Sequence, residues 1–332
     1  MRLGIVGVGM IAQEVVPNLR NWGIEPAAVC GTQRSIDKAK KLCDENGIES
    51  VYADYDAFLA EADIDTVYIA VPNFLHFSFA SKALTAGKNV IVEKPMTSNY
   101  SESCELGRIA KEKGLFLFEA ITTLYSKNYE KIREWLKRIG EIKIVTANFS
   151  QYSSRYDAFK EGKIMPVFDP NKSGGTLMDL NLYNLHYIIG LFGEPEKVSY
   201  QANMERGIDT SGIVTMDYGK FQAVSIAAKD CGAPCQYVIQ GTKGYILQTT
   251  PANNCGEVTL HLNDGTEEKF DAKPDIRLRD EFENFVRIIE NADMDTCLKN
   301  LEHSLLVSKV QTEARLSAGI VFPADNDVEA ES

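Results

Sequence analysis

Three titratable residues, Asp179, Tyr183 and His186, are spaced so that a helix would carry them on one face. They would fall within a sector of about 60°, while apolar residues cover much of the opposite side. Aspartate, tyrosine and histidine together form a set that can transfer a proton. The pair Gly174-Gly175 just before them would let a ligand come close to the helix. A solvated helix face is the usual explanation for such a pattern. Other parts of the chain must therefore decide between a solvated face and a proton-transfer site.

A second candidate pair is Glu93-Lys94, which directly follows the apolar run 90–92. Charged residues straight after a buried strand are uncommon, because burying a charge without a partner is costly. Beside a bound dinucleotide, Glu93 could accept a hydrogen bond from a ribose hydroxyl while Lys94 points at a substrate. Without a cofactor nearby, the same two residues would be an ordinary surface pair at a strand end.

A cofactor site is predicted at the start of the chain, where Gly7, Gly9 and Ala12 follow an apolar strand and open a helix. A glycine triplet alone is a weak signal, but here it begins a βαβ unit, as a dinucleotide-binding turn requires. The first glycine allows the tight turn, the second lets a pyrophosphate approach the backbone, and the small third residue allows close packing. The phosphates would lie at the helix N-terminus, so Met10 and Ile11 are included in the predicted site.

The end of the second predicted strand indicates which dinucleotide is bound. NAD-selective sites usually place an acidic residue there to bind both ribose hydroxyls, but no acid precedes Asp37 in this loop. Thr32 and Arg34 are present instead, and a guanidinium suits a 2′-phosphate. We therefore predict NADP as the preferred cofactor and NAD as the other possibility. The competing explanation is a solvated Arg34 at the start of the next helix.

The loop after the central strand supplies further predicted cofactor contacts. Ala70 and Pro72 end this strand. Asn73 can hydrogen-bond to a ribose or an amide, and His76 can do the same or cap the following helix. Because ligands bind at the carboxyl ends of parallel strands, these residues are expected near the cofactor.

Alternating strands and helices must position these residues. Through the first 120 residues, apolar strand runs alternate with amphipathic helices, which indicates a doubly wound parallel sheet. Later segments are strand-like and joined by short turns, which favours antiparallel hairpins. The predicted fold class is α/β, with a Rossmann domain over residues 1–122 and an α+β domain with a large open, mainly antiparallel sheet over residues 123–332. The acidic tail after Pro323 is expected to fray.

Composition limits the partners. The 332 residues carry a formal net charge of −12 and no basic block, which argues against nucleic acid. Seven scattered cysteines are typical of a reducing cytoplasm. They predict no metal site, because the closest two cysteines have no second cysteine pair or histidine nearby in the sequence. We find no membrane-spanning run or signal-peptide pattern. The expected partner is a small-molecule substrate, and the few helices of the second domain predict a homodimer or larger homo-oligomer.

Taken together, the motifs resemble those of the glucose–fructose oxidoreductase/inositol dehydrogenase (Gfo/Idh/MocA) family. The resemblance spans essentially the whole chain and rests on G-x-G-x-x-A from Gly7, P-N-x-x-H from Pro72, E-K-P from Glu93 and G-G-x-x-x-D-x-x-x-Y from Gly174. It implies a Rossmann domain, a C-terminal domain with a large open sheet, and a homo-oligomer. The implied activity is NAD(P)-linked oxidation or reduction of sugars, cyclic polyols or related alcohols.

The resemblance also implies residue roles. The lysine of E-K-P, here Lys94, contacts substrate and assists proton transfer. Many members carry histidine where this chain has Tyr183. A tyrosine at this position resembles the branch with the dihydrodiol and xylose dehydrogenases, in which the tyrosine is the proposed acid/base. Two departures leave the substrate class open. Residues 124–127, shortly after Glu119, replace an Arg-Phe-x-Pro segment, and His186 stands where relatives often have aspartate. Glu119 and His186 are tentative substrate contacts.

The chemistry predicted from these residues is hydride transfer between a nicotinamide and the C–OH or C=O of a sugar, cyclic polyol or dihydrodiol. Lys94 and Tyr183 are predicted to form the proton-transfer centre, with Asp179 orienting them and His186 as the rival base. A free tyrosine has a pKa of about 10, so a base working near pH 7 needs a decrease of roughly three units, which a nearby ammonium favours. Two alternatives stay open: a dinucleotide-binding regulator or redox sensor without turnover, and a reductase of a tetrapyrrole or imine on the same scaffold.

Overall fold

A computed structural model describes residues 1–326 of the protein, which contain fourteen strands and ten α-helices. In chain order the strands are β1 (Arg2–Val6), β2 (Glu25–Cys30), β3 (Ser50–Tyr52), β4 (Thr66–Ile69), β5 (Asn89–Glu93), β6 (Leu117–Ala120), β7 (Ile142–Ser150), β8 (Lys197–Glu205), β9 (Ile208–Asp217), β10 (Gln222–Ala228), β11 (Gln236–Gly241), β12 (Gly244–Gln248), β13 (Val258–Leu262) and β14 (Glu267–Phe270). The α-helices are α1 (Met10–Val15), α2 (Ile36–Asn46), α3 (Tyr55–Glu61), α4 (His76–Thr85), α5 (Tyr100–Lys113), α6 (Lys127–Trp135), α7 (Tyr156–Lys160), α8 (Leu182–Phe192), α9 (Arg279–Glu290) and α10 (Met294–Ser317). Within the described range, no helix is long and apolar enough to cross a membrane.

The first sheet contains six parallel strands in the order β3-β2-β1-β4-β5-β6. Central strand β1 is apolar and buried after its first residue, because neighbours flank it on both sides and helices cover both faces of such a sheet. Ile5 pairs with Val29 of β2 on one side and with Tyr68 of β4 on the other. The strand order reverses between β1 and β4, which is where folds of this class bind ligands. The doubly wound sheet predicted for the first domain is therefore confirmed.

The second sheet contains eight strands in the order β14-β13-β12-β11-β7-β10-β9-β8. Neighbouring strands are antiparallel except β7 and β10, which run parallel. Helix α8 packs against β7 and β10, and its residues 182–189 are buried. The other face carries Ile144, Ile213 and Tyr245, which are 44%, 41% and 40% exposed. The predicted large, mainly antiparallel sheet with one open face is confirmed.

The described chain divides into two compact units. The first comprises residues 1–120 and 281–305, and the second comprises residues 121–280 and 306–326. The predicted domain boundary after residue 122 lies close to the first break, and as a functional division it stays a prediction. The strand and helix pattern contained no indication that α9 and the start of α10 belong with the first unit. Trp22 and Phe282 contribute to this association, since their rings stack at 5.4 Å within that unit.

The beginning of the acidic tail is held in place. Pro323–Asp325 forms a 3₁₀ turn, and Asp325 accepts two hydrogen bonds from the buried Arg315, both at 2.7 Å. The expectation of fraying directly after Pro323 is therefore wrong for these residues. The rest of that expectation falls on residues 327–332, which lie outside the described residues.

Candidate active site

The loop between β1 and α1 has the geometry that a dinucleotide-binding turn requires. Gly7 has a φ of +99°, which favours glycine, and a Cβ placed there would overlap the Ala70 carbonyl group. Around Gly9, no heavy atom lies within 4 Å of the position a Cβ would take, so open space adjoins its backbone. Helix α1 starts at the next residue, Met10, which is 71% exposed. The backbone and the positive end of the helix thus fit a pyrophosphate.

The loop after β2 presents the residues that are predicted to select the cofactor. The backbone N–H of Thr32 donates to Oγ of Ser35 at 2.9 Å, and the backbone N–H of Ser35 donates to the Thr32 carbonyl at 2.9 Å, which fixes a compact turn. Arg34 within this turn is exposed and forms no hydrogen bond or ion pair with residues 1–326. Its guanidinium is therefore accessible to an anion.

His76 connects the loops that follow β4 and β5. Its Nδ1 lies 2.7 Å from the Pro95 carbonyl oxygen and its Nε2 lies 2.9 Å from the Val71 carbonyl oxygen. Burial lowers the pKa of His76, while the two carbonyl contacts and Glu119 act in the opposite direction. Both ring nitrogens are thus engaged by the backbone. His76 holds two loops together, which differs from the direct cofactor contact predicted from the sequence.

The loop carrying Lys94 is fixed by two carboxylates. Glu93 accepts a hydrogen bond from the Tyr68 hydroxyl at 2.5 Å, and Glu119 accepts one from the backbone N–H of Met96 at 2.9 Å. Glu119 is only 5% exposed, so this hydrogen bond supports the loop from the protein interior. Lys94 itself is half-buried. The strand end, the carboxylates and the His76 contacts together define where the lysine backbone lies.

The helix carrying Asp179 departs from the predicted geometry. A regular helix was expected to carry Asp179, Tyr183 and His186, whereas Leu177–Asn181 form a π-helical turn that continues into α8. A π-helical turn closes with i→i+5 hydrogen bonds and is wider than an α-helical one, and such turns occur frequently at functional sites. Tyr183 lies two residues beyond the turn and is 8% exposed, with its ring centroid 6.1 Å from that of Phe149.

A buried aspartate fixes the start of this helix. Asp209 on β9 accepts hydrogen bonds from the backbone N–H of Leu177 and from the Tyr200 hydroxyl, both at 2.7 Å. Burial raises the pKa of Asp209 to about 6, although these hydrogen bonds act in the opposite direction. Gly175 has a φ of +107°, and a Cβ there would overlap the Asp209 carboxylate. A Cβ at Gly174 would lie 2.6 Å from the Pro166 carbonyl oxygen.

These contacts correct the explanation given for Gly174 and Gly175. The sequence suggested that the two glycines admit a ligand, whereas both positions are crowded by atoms of the chain itself. Their small size lets the loop pack against a buried carboxylate and a neighbouring backbone. The glycine pair is therefore a requirement of folding at this position.

Two buried asparagines fix the same helix on the sheet. Oδ1 of Asn181 accepts a hydrogen bond from the Ser225 hydroxyl. Nδ2 of Asn184 donates to the Ile226 carbonyl at 2.9 Å, and its Oδ1 accepts from the Tyr237 hydroxyl at 2.6 Å. Buried polar groups of this kind specify one arrangement, because losing a partner leaves a desolvated group unsatisfied.

Asp179 forms an ion pair with Lys229, the residue that follows β10. The lysine side chain is 7% exposed and the aspartate side chain 28% exposed, so the carboxylate is the more accessible member. His186, by contrast, has no exposed surface. The predicted accessible face with all three titratable groups is therefore wrong for His186. It offers no surface to a substrate in this conformation.

Two family models match the chain. A model described as an oxidoreductase family with an NAD-binding Rossmann fold covers residues 1–121, and the Gfo/Idh/MocA C-terminal domain covers residues 129–247. The scyllo-inositol 2-dehydrogenase (NADP(+)) IolU of Bacillus subtilis (strain 168) is 32% identical, over 98% of this chain and 99% of its own. The chain belongs to the Gfo/Idh/MocA family. It is thus an NAD(P)-dependent oxidoreductase, as predicted.

Other proteins similar to this chain differ in the activities for which they are named. The uncharacterized oxidoreductase YgjR of Escherichia coli (strain K12) is 31% identical, over 98% of this chain and 99% of its own. A trans-1,2-dihydrobenzene-1,2-diol dehydrogenase of Xenopus tropicalis is 28% identical, over 96% and 98%. The 3-ketoreductase KijD10 of Actinomadura kijaniata, solved with NADP and TDP-benzene, superposes with a TM-score of 0.85 at 23% identity, over 97% and 99%. The likeness to KijD10 shows the fold.

Sequence reasoning missed Lys229, Asp209 and Tyr200. For Lys229 a usable signal existed, because it stands directly after a strand in the same way as Lys94. The argument that drew attention to Lys94 would have applied to it equally. Asp209 and Tyr200 lie within strands and carried no comparable local signal.

Proposed function

We propose that this oxidoreductase transfers a hydride between NADP and a ring carbon that bears a hydroxyl or carbonyl group, with a cyclic polyol or cyclic trans-diol as substrate. Two relatives are named for scyllo-inositol and trans-1,2-dihydrobenzene-1,2-diol. Both compounds carry trans vicinal hydroxyls on a six-membered ring. The observation that carries the proposal is the near full-length identity of 32% to the inositol dehydrogenase, in a chain that retains Lys94, Asp179 and Tyr183.

The dinucleotide would be held by the carboxyl-end loops of the first sheet. When bound, its nicotinamide supplies the acceptor or donor of the hydride. We assign the pyrophosphate to the turn at Gly7 and the 2′-phosphate to Arg34, which is exposed. The remaining proposed cofactor contacts are Gly9, Met10, Ile11, Thr32, Ala70, Pro72, Asn73, Glu93 and Lys94. His76 is proposed to position the loops that carry several of them.

We assign proton transfer to Tyr183 and Lys94. Removing a hydride from an alcohol leaves a hydroxyl proton that a base must accept, and reduction of the carbonyl needs the corresponding acid. Tyr183 is proposed as this base, and the ammonium of Lys94 as the cation that favours its phenolate form. Asp179 is proposed to orient the tyrosine. Because His186 is fully buried, we give it no part in the reaction.

We also propose a homodimer built on the open face of the second sheet. Ile144, Ile213 and Tyr245 on that face are each at least 40% exposed. A large apolar sheet face is seldom left to water, so a second copy of the chain is the simplest cover. Light scattering across micromolar concentrations is expected to give twice the chain mass, and a monomer mass throughout would contradict the proposal.

A substrate panel tests the proposed function. Purified protein is mixed with NADP⁺ or NAD⁺ and with scyllo-inositol, myo-inositol, a trans-dihydrodiol, glucose or acyclic sorbitol, and reduced cofactor is followed at about 340 nm. We expect turnover with NADP⁺ and at least one cyclic substrate, and a much lower rate with sorbitol. Preferred oxidation of sorbitol would contradict the substrate class. Cofactor binding without turnover of any member, in either direction, would favour a non-catalytic regulator.

A further inference from the structure

Lys229 is a buried lysine to which the proposed proton transfer gives no role. Its backbone N–H donates to the Thr210 carbonyl at 2.8 Å, so its main chain is held beside β9 as though β10 continued. Its ammonium contacts Oδ2 of Asp179 in the π-helical turn. The lysine therefore reaches from the sheet to the helix that carries Tyr183.

Stability alone does not explain this ion pair. Desolvating two charged groups costs free energy that their attraction recovers only in good geometry, and apolar residues in place of a buried pair are often equally stable. The pair does, however, determine the charge on the helix. An ammonium in direct contact offsets the charge of the Asp179 carboxylate and fixes its orientation.

The position of Asp179 makes its charge important for Tyr183. Tyr183 lies two residues beyond the π-helical turn that contains Asp179, so about one helical turn separates the two residues. An uncompensated carboxylate beside a phenol disfavours the phenolate, because like charges repel. A base at Tyr183 needs the opposite effect. The carboxylate can orient the tyrosine without this penalty only if a cation cancels its charge.

We propose that Lys229 is a positioning residue that cancels the charge of Asp179, so that Tyr183 can exchange a proton near neutral pH. This inference rests on the proposed function of Tyr183 as the base. It assigns the two lysines different tasks, with Lys94 taking part in the proposed proton transfer itself and Lys229 acting through Asp179.

Other titratable groups lie on the elements that pack against this helix segment. They are His186 and Tyr187 on α8, Lys143 on β7, Asp209 and Asp217 on β9, Tyr125 in the turn Thr122–Tyr125, and Asp230 after β10. Lys143 pairs with Glu141 at 3.0 Å, at the end of β7 opposite to Phe149, the residue that packs on Tyr183. Asp230 accepts hydrogen bonds from Thr210 and Ser211 at 2.8 and 2.9 Å. Lys229 forms an ion pair with Asp179 directly.

A double-mutant cycle that removes the charges of Lys229 and Asp179 singly and together tests the proposal. The kcat/KM of scyllo-inositol oxidation with NADP⁺ is measured against pH for the wild type, Lys229→Met, Asp179→Asn, the double variant and Lys229→Arg. The rate should rise with pH as Tyr183 loses its proton. We expect the midpoint of this pH profile to move up by about one pH unit in Lys229→Met, because the carboxylate is then uncompensated. It should move down by a similar amount in Asp179→Asn, because the ammonium is then uncompensated. The double variant and Lys229→Arg should stay within about 0.3 units of the wild type.

Controls separate this effect from a change in folding. Lys309→Met removes an exposed lysine that pairs with Glu194 at 2.6 Å, and its midpoint should not move. Thermal unfolding and NADPH binding are recorded for every variant. If Lys229→Met does not fold, the comparison of Asp179→Asn with the double variant still tests the same charge. Unchanged midpoints throughout, with only lower unfolding temperatures, would overturn the proposal and leave a structural role.

The result also distinguishes failure of the inference from failure of the proposed function. If Tyr183→Phe loses activity while the four charge variants keep the wild-type midpoint, Tyr183 remains the base and the role of Lys229 is wrong. If Tyr183→Phe keeps the wild-type rate and pH profile, Tyr183 is not the titrating group, and both proposals fail together.

Discussion

The two polar regions of this protein are built in different ways. In the first unit, parallel strand order brings the loops after β1, β2, β4 and β5 to one edge, and the Gly7 turn is defined by its backbone. In the second unit, the helix with Asp179 depends on side chains far along the chain. Lys229 is 50 residues from Asp179, and Asp209 is 32 residues from Leu177. The first region is thus specified by local sequence, and the second by distant partners.

The largest effect is expected where a chemical group is removed without changing the backbone. Lys94→Met should lower kcat by about 10²–10⁴-fold, the usual contribution of a proton-transfer group. NADPH binding should weaken much less than kcat falls, since Lys94 is one of several proposed cofactor contacts and the others remain. Lys88→Met is the matched control, because Lys88 precedes β5 and donates to the Ile64 carbonyl at 2.8 Å. Equal losses in both variants would contradict a specific role for Lys94.

The second prediction concerns Asp209, on which the helix start depends. Burial raises the pKa of Asp209 from its ordinary value of 3.8 to about 6, so the folded state binds more protons than the unfolded state between these pH values. Stability from this group is therefore full below about pH 4 and is lost as pH rises to about 6, by roughly 3 kcal/mol. Urea unfolding of the wild type should show this loss, and Asp209→Asn should lack it.

Asp217→Asn provides the control of opposite sign for the Asp209 experiment. Contacts with Gly219 and Gln222 lower the pKa of Asp217, so its contribution is lost only as pH falls through that lowered pKa. An identical fall in stability between pH 4 and 6 in the wild type and in Asp209→Asn would show that Asp209 does not carry the effect.

The third prediction compares the two glycines of the cofactor turn. Gly7→Ala should lower the free energy of unfolding by about 2 kcal/mol or more, because φ is +99° and the added carbon meets the Ala70 carbonyl. Gly9→Ala should leave stability nearly unchanged, since nothing lies within 4 Å of its Cβ position. It should instead weaken NADPH binding by filling the space we assign to the pyrophosphate. Equal loss of stability in both variants would contradict this division.

The smallest effect is expected at Arg34. Arg34→Ala should weaken NADPH binding about tenfold, through loss of roughly 1.5 kcal/mol of charge-assisted hydrogen bonding, and leave NADH binding unchanged. Lys38→Ala removes an exposed charge from α2 nearby and serves as the control for general electrostatic attraction. If both variants weaken the two dinucleotides equally, Arg34 has no specific contact with the 2′-phosphate.

The contrast between the regions also explains how far the sequence could predict the structure. The parallel sheet, the Gly7 turn and the large, mainly antiparallel sheet follow from local periodicity and turn residues, and all were predicted. The π-helical turn was not, because an added residue per turn leaves no mark on an apolar helix pattern. The glycine pair before Asp179 was misread, since the carboxylate that crowds Gly175 lies on β9, outside the motif. The position of Lys229 after a strand was a usable signal, but its pairing with Asp179 depended on which strand end faces which helix.

The central claim is that Tyr183 accepts the substrate proton in an NADP-linked oxidation. The most direct measurement is kcat for scyllo-inositol in Tyr183→Phe, with Tyr187→Phe as the control four residues further along α8. Tyr187 is 1% exposed and packs its ring 4.8 Å from that of Tyr237, so loss of its hydroxyl should leave kcat near the wild-type value. Tyr183→Phe should lose about 10²–10⁴-fold in kcat while binding NADPH normally. A Tyr183→Phe enzyme within about threefold of the wild-type kcat would contradict the claim.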